Sequence, residues 1–181
     1  MAILAGIGTN QIATWLHGYM AKIEKPFSHL AIQLLILLMF LPIVLKLISI
    51  HPNEGVYFNP LIGGLKGAKE KNLPEWGQNL GSVNRQGIIW LNRSVEKNAK
   101  LATNFGLGSS IDTLSLRDDI QFTNAFRSVL ERNGEYIIGL THQSGFEDTY
   151  FFKYLEKFLI PVYEVKVDGV PILKIWKNDP E

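Results

Sequence analysis

The side chains that could do chemistry fall in a few places, and each has to be weighed against a plainer role. His142, Glu147 and Asp148 gather between an expected strand and an expected helix, a position where α/β proteins often bind ligands. They lack the spacing of a metal site, so capping and solvation account for them better. Asp118 and Asp119 could form a carboxylate pair, but adjacent residues on a helix point in different directions, and a helix start explains both. Gly106 and Gly108 lack the third glycine of a dinucleotide fingerprint. Asn92-Arg93-Ser94 matches the glycosylation sequon, yet three-residue matches are common by chance and Asn92 falls on an expected helix. The chain has no cysteine, which removes disulfides, thiolate metal sites and cysteine nucleophiles together. No catalytic constellation, metal site or cofactor is expected from these residues.

The elements that would position any site are dominated by one stretch, LAIQLLILLMFLPIVLKLISI from Leu30 to Ile50, in which only Gln33, Pro42, Lys46 and Ser49 are not plainly apolar. As a helix it spans roughly 30 Å, the thickness of a bilayer's hydrocarbon core. A buried core helix can be apolar all round, but globular helices average only about 11 residues, and this one shows no polar stripe to turn toward water. A signal peptide has a shorter apolar run and then a small-residue cleavage site, which HPNEGVYFNP does not offer. The stretch therefore reads as a membrane-spanning helix, with Lys46 near enough to one end to snorkel.

Residues 1 to 21 begin apolar and turn amphipathic at Trp15, His17 and Tyr19, as the latter part of a membrane helix would at an aromatic interface. A chain starting inside a helix is expected to be truncated. The competing reading is an amphipathic helix lying on the membrane surface. A turn at KIEKPF follows, with Pro26 suited to a first helical turn.

From His51 to Gly77, Pro52, Pro60 and Pro74 with Gly55, Gly63, Gly64, Gly67 and Gly77 exclude a long regular element. Tyr57, Phe58 and Trp76 are rings of the kind that rest at a membrane interface. Beyond it the pattern is that of a water-soluble α/β unit. A helix is expected over residues 78 to 97, a strand at KLATNFG (100 to 106), a second helix over 117 to 132, and a strand at EYIIGLTH from Glu135 to His142. A third helix from about Glu147 to Leu159 buries Tyr150, Phe151, Tyr154, Leu155 and Phe158. The end is a hairpin of YEVKV and VPILKIW about Asp168-Gly169.

The fold class is thus a membrane α-helical hairpin, of one partial and one full transmembrane helix, followed by a small α/β soluble domain with a C-terminal β-hairpin. The domains are residues 1–50 (membrane), 51–77 (interfacial linker) and 78–181 (α/β). Formal net charge is only +1, with +2 in residues 1 to 50 and −1 in the rest, so the basic field that a nucleic-acid backbone requires is missing. The lipid bilayer is the expected partner. Charge fixes orientation poorly, since Lys22 and Lys25 flank one end of the span and Lys46 and Lys66 the other.

The run His51-Pro52, Val56-Tyr57-Phe58-Asn59, Gly63-Gly64, Gly67-Ala68, Trp76-Gly77 and Trp90-Leu91-Asn92 resembles the segment after the last membrane helix of GT-C type polytopic glycosyltransferases, in the protein O-mannosyltransferase and aminoarabinose transferase group (family 39). Residues 2 to 8 and the closing Val165 to Trp176 are similar to further parts of that group, so the resemblance touches most of the chain. It implies a polyprenyl-phosphate sugar donor and an acidic residue in a first extracytoplasmic loop, which has no counterpart here. The chain would then be the C-terminal end of such an enzyme, not catalytic alone, with its α/β domain extracytoplasmic. His51, Tyr57, Asn59 and Trp76 are the candidates to face donor or acceptor. A membrane-anchored binding or sensor module, without enzymatic activity, is the alternative, and a soluble α/β enzyme with a buried apolar helix is a further one.

Overall fold

The computed structural model describes residues 7–8, 10–15, 18, 29–74, 76–77, 80–103, 111–123, 134–141 and 150–179. The chain divides into two compact units, Met1–Ser49 and Ile50–Glu181.

In the first unit, Ile7, Gly8, residues 10–15 and Gly18 have helical backbone. Helix α1, His29–Ile50, follows. Its 22 residues make a rod of roughly 33 Å. Pro42 lies inside it, and the Ser49 hydroxyl donates to the Lys46 carbonyl at 2.7 Å, so this polar side chain satisfies itself along the helix. The helix stops at Ile50 because Pro52 disfavours helical backbone at the residue before it. Among the described residues it is the one helix long and apolar enough to cross a bilayer, and almost none of its residues from Gln33 to Ile50 is buried. Leu37, Leu38, Met39 and Ile48 stand open on its flanks. A core helix of a soluble protein would be buried instead. The turn that a membrane hairpin would need falls on residues outside those described.

The second unit is a small α/β domain around a five-stranded mixed sheet in the order β2-β1-β3-β5-β4. After two short 3₁₀ turns come helix α2 (Gly64–Glu70) and helix α3 (Leu80–Ser94). The strands are β1 (Lys100–Thr103), β2 (Gln121–Thr123), β3 (Tyr136–Leu140), β4 (Pro161–Val167) and β5 (Val170–Lys177), with helix α4 (Tyr150–Phe158) between β3 and β4. β1 is parallel to β2 and β3, while β5 runs antiparallel between β3 and β4. β3 and β4 are therefore parallel strands with the C-terminal strand inserted between them.

Strand alternation deals the residues to two helices. Tyr136 and Ile138 of β3, with Leu173 and Ile175 of β5, share one face, and Ile137 with Trp176 the other. α3 covers the first face so closely that a Cβ on Gly87 would lie 2.7 Å from Ile138 Cδ1. Trp90 of the same helix stacks on Tyr163 of β4 at 5.0 Å. α4 covers the second face, where Leu155 and Leu159 pack with Ile137 and Trp176. With both faces covered, every residue of β3 is buried, which is why YIIGL reads as an unbroken apolar run.

Several expectations need correction. Asp118 and Asp119 occupy a turn, not a helix start, and residues 121–123 of the expected second helix are strand β2. The Asp119 carboxylate takes the Asn98 N–H at 2.8 Å and the Arg117 guanidinium, which ties this turn to the loop before β1 and leads the chain into pairing with it. Residues 124–132 lie outside those described. On α4, Leu155 is buried and Phe151 and Tyr154 partly so, but Tyr150 and Phe158 are exposed. They fall on a neighbouring stripe of the helix, turned away from Trp176. Trp76, expected at an interface, is a core residue only 2% exposed.

Candidate functional site

The segment that leaves α1 is built into the α/β domain from its first residue. Ile50 is buried and its carbonyl accepts the Asn53 N–H at 2.7 Å. The next turn, Glu54–Val56, is held by Val56 N–H on the Asn53 carbonyl and Tyr57 N–H on the Glu54 carbonyl. Asn53 and Val56 point inward, and the buried Asn53 Oδ1 accepts from Gln86 Nε2 of α3 at 2.9 Å. A polar side chain can be buried there because it finds that partner.

Fixing those residues inward leaves His51 and Glu54, three positions apart, side by side on the surface. His51 Nδ1 lies 2.5 Å from Glu54 Oε1, with the two side chains 72% and 43% exposed. The Glu54 carboxyl is held below the usual carboxylate range, first by a backbone N–H and then by the hydrogen bond from His51. Such a pair orients an imidazole, leaving Nε2 to accept from a hydroxyl or, in the imidazolium, to donate to a phosphate oxygen. It is open to water, so it has the strength of a positioning pair and not of a buried base.

The chain then forms a tight projection. The Asn59 side chain accepts the Leu61 N–H at 2.8 Å and its carbonyl accepts from Ile62 at 3.1 Å, capping the turn Pro60–Ile62. Gly63 closes it in a left-handed conformation with φ 93°. Gly67 then passes so near that a Cβ there would be 1.8 Å from the Ile62 carbonyl oxygen. Of the candidates from sequence, His51 is thus exposed beside Glu54, Tyr57 is half-buried, Asn59 spends its amide oxygen on the turn, and Trp76 is interior with Lys69 Nζ 5.4 Å above its ring.

Sequence reasoning missed Glu54, whose signal was its spacing from His51 by one helical turn. It also missed Arg117, whose guanidinium donates to the carbonyls of Asn92 and Glu96 at 2.8 Å and so caps the end of α3. Asn92 accepts from Arg117 N–H at 2.9 Å and donates to the Ser115 carbonyl at 2.8 Å, so its amide is engaged within the fold. At the other end of the same loop region, Tyr136 donates to Glu96 at 2.7 Å and Lys177 lies 3.3 Å from the same carboxylate. Burial and then Glu96 push the Tyr136 phenol above its ordinary value. On the opposite face Lys174 reaches Glu156 at 2.8 Å and Glu164 at 3.8 Å. Each of these clusters pairs donor with acceptor and packs one element on another. No group of three metal-ligating side chains occurs among the described residues. His142, Glu147, Asp148, Gly106 and Gly108 lie outside them.

Comparison with known protein families, with curated proteins and with solved structures finds no match to this chain.

Proposed function

We propose that this chain is the membrane-anchored C-terminal part of a glycosyltransferase that moves a sugar from a polyprenyl-phosphate donor to an extracytoplasmic acceptor. In this reading α1 and the helical residues before it form a membrane hairpin, and the catalytic carboxylate lies elsewhere in the enzyme. The observation that carries it is the exposed His51–Glu54 pair, which follows the last residue of the apolar helix α1 directly in the chain. A polyprenyl phosphate keeps its phosphate and sugar at that depth, in the headgroup layer. There a His51 imidazole steadied by Glu54 can accept from a sugar hydroxyl at Nε2 or, as the imidazolium, donate from Nε2 to a phosphate oxygen, and the Tyr57 ring supplies an amphipathic wall.

The test uses membranes carrying the natural polypeptide and a labelled polyprenyl-phosphate sugar. His51→Ala should lower transfer by about tenfold, the worth of one positioning hydrogen bond of roughly 1.4 kcal/mol, and Tyr57→Ala should lower it through loss of the wall. Unchanged transfer at normal expression overturns the assignment. Trp76→Ala is not informative, because that ring is part of the core.

A second reading, a membrane-anchored binding or sensor module, draws on the pairing of the described charged clusters within the fold and the lack of a catalytic constellation among them. A reading frame that continues upstream through further membrane helices favours the transferase. A chain that folds and takes a ligand with nothing upstream favours the module.

A further inference from the structure

Leu61 is 91% exposed at the tip of the turn Pro60–Ile62, and the turn around it is tied by hydrogen bonds. Asn59 caps it from one side, Gly63 reverses the chain, and Gly67 packs against the Ile62 carbonyl from the other. This construction holds an apolar side chain out of the domain at a fixed place, where a flexible loop would let it fold back over apolar surface. Leu114 and Ile160 are as exposed, at 97% and 87%, but neither is tied to the span by a short tether. Leu61 is separated from Ile50 by so few residues that even a fully extended chain reaches no further than about 40 Å, and the hydrogen-bonded turns at Asn53, Val56 and Tyr57 shorten that reach. Tyr57 and Phe58 are half-exposed just before the tip, and Lys66 and Lys71 are exposed on and beside α2 just after it. An apolar tip with rings before it and ammonium groups after it in the chain supplies a side chain for the acyl boundary, for the interface and for the phosphates of a bilayer.

We infer that Leu61 is a membrane wedge: the turn Pro60–Ile62 inserts this side chain into the acyl boundary of the bilayer that α1 crosses, with Lys66 and Lys71 at the lipid phosphates. The occupant of this surface is the lipid of that same bilayer, reached by continuity with the span. The inference rests on the spanning reading of α1 but not on the transferase reading.

The absence of cysteine makes the test clean, since each introduced thiol is the only one. The full chain is reconstituted in vesicles of phosphatidylcholine and phosphatidylglycerol, with a nitroxide label on Leu61→Cys or, for comparison, on Leu114→Cys. Collision with oxygen, which concentrates in lipid, is compared with collision with a water-soluble nickel chelate. The label at position 61 should favour oxygen and the one at 114 the nickel chelate. Lys66→Glu with Lys71→Glu should move the label at 61 toward the nickel chelate. Vesicle flotation separately reports whether the chain is anchored. A floating protein whose label at 61 is as open to nickel as that at 114 overturns the wedge while leaving the span intact, and equal preference for oxygen at both positions overturns the choice of Leu61.

Discussion

Replacing Gly67 by alanine should undo the turn that carries Leu61, although an alanine in a helix ordinarily stabilises. A Cβ at position 67 would sit 1.8 Å from the Ile62 carbonyl oxygen and 2.7 Å from its carbon. Carbon atoms settle at about 3.5–4.0 Å, so the two backbones must part by more than an ångström. Neither contact atom belongs to a side chain that could swing aside. Parting them pulls against the Asn59 cap and against Leu65 and Ala68, which are 1% and 0% exposed. Overpacking that side chains can absorb costs about 1–3 kcal/mol, and a rigid backbone clash belongs at or above the top of that range. For a chain of this length a loss of about 3 kcal/mol lowers Tm by roughly 6–12 °C. Gly81→Ala is the control, because nothing lies within 4 Å of a Cβ there and the position is near the start of α3. It should raise stability by up to about 1 kcal/mol. Thermal unfolding of the detergent-solubilised full chain, followed by near-ultraviolet circular dichroism, reads both. A Gly67→Ala protein that melts with the wild type, or a Gly81→Ala protein that falls as far as Gly67→Ala, would refute the packing argument.

Acid should loosen the loop that closes α3. The Arg117 guanidinium, and then the Asn98 N–H, hold the Asp119 carboxyl down to about 2, against 3.8 for an unperturbed aspartate. The unfolded chain then binds the proton more readily than the folded one, so this contribution is full above the unfolded value and is lost as pH falls from about 4 to about 2. Asp119→Asn should flatten that part of the unfolding-versus-pH curve, and an unaltered curve would remove Asp119 from the account. Asn92→Ala gives up the bonds to Ser115 and Arg117 and should cost about 1–2 kcal/mol in urea unfolding. In a glycosylating host the folded wild-type chain should carry no glycan at Asn92, and a gel shift removed by a glycosidase would contradict that.

The elements that were legible in the sequence are those whose burial is one-sided and local. Helix α1 announced itself by a stretch, Leu30 to Ile50, that is apolar but for Gln33, Pro42, Lys46 and Ser49, and its observed start at His29 lies one residue from the expected Leu30. The hairpin β4–β5 was marked by alternation and by Asp168-Gly169, both of which have the positive φ such a turn demands. β3 could be placed because a strand covered on both faces is apolar throughout. What could not be read depends on partners distant in sequence. Asp119 looks like a helix-start residue until Asn98 and Arg117 are seen to claim it, and the three residues of β2 are too few to show a period. Trp76 has the composition of an interfacial ring, and only the packing of the domain shows it to be interior. The inserted position of β5 also lies beyond local pattern, since nothing in VPILKIW says that it separates β3 from β4. At the candidate site, His51, Tyr57 and Asn59 are expectations from residue type and resemblance, and the fold leaves His51 exposed, Tyr57 half-buried and the Asn59 amide oxygen engaged in a turn. Glu54 became visible only when Asn53 and Val56 were seen to turn inward and leave it beside His51.

The whole account stands on lipid as the solvent of residues 33 to 50, and alkaline carbonate extraction of membranes from cells making the chain measures that directly. The account predicts that the protein stays in the pellet and is released only by detergent. Quantitative release into the carbonate supernatant, as a species that remains monodisperse without detergent, would contradict it.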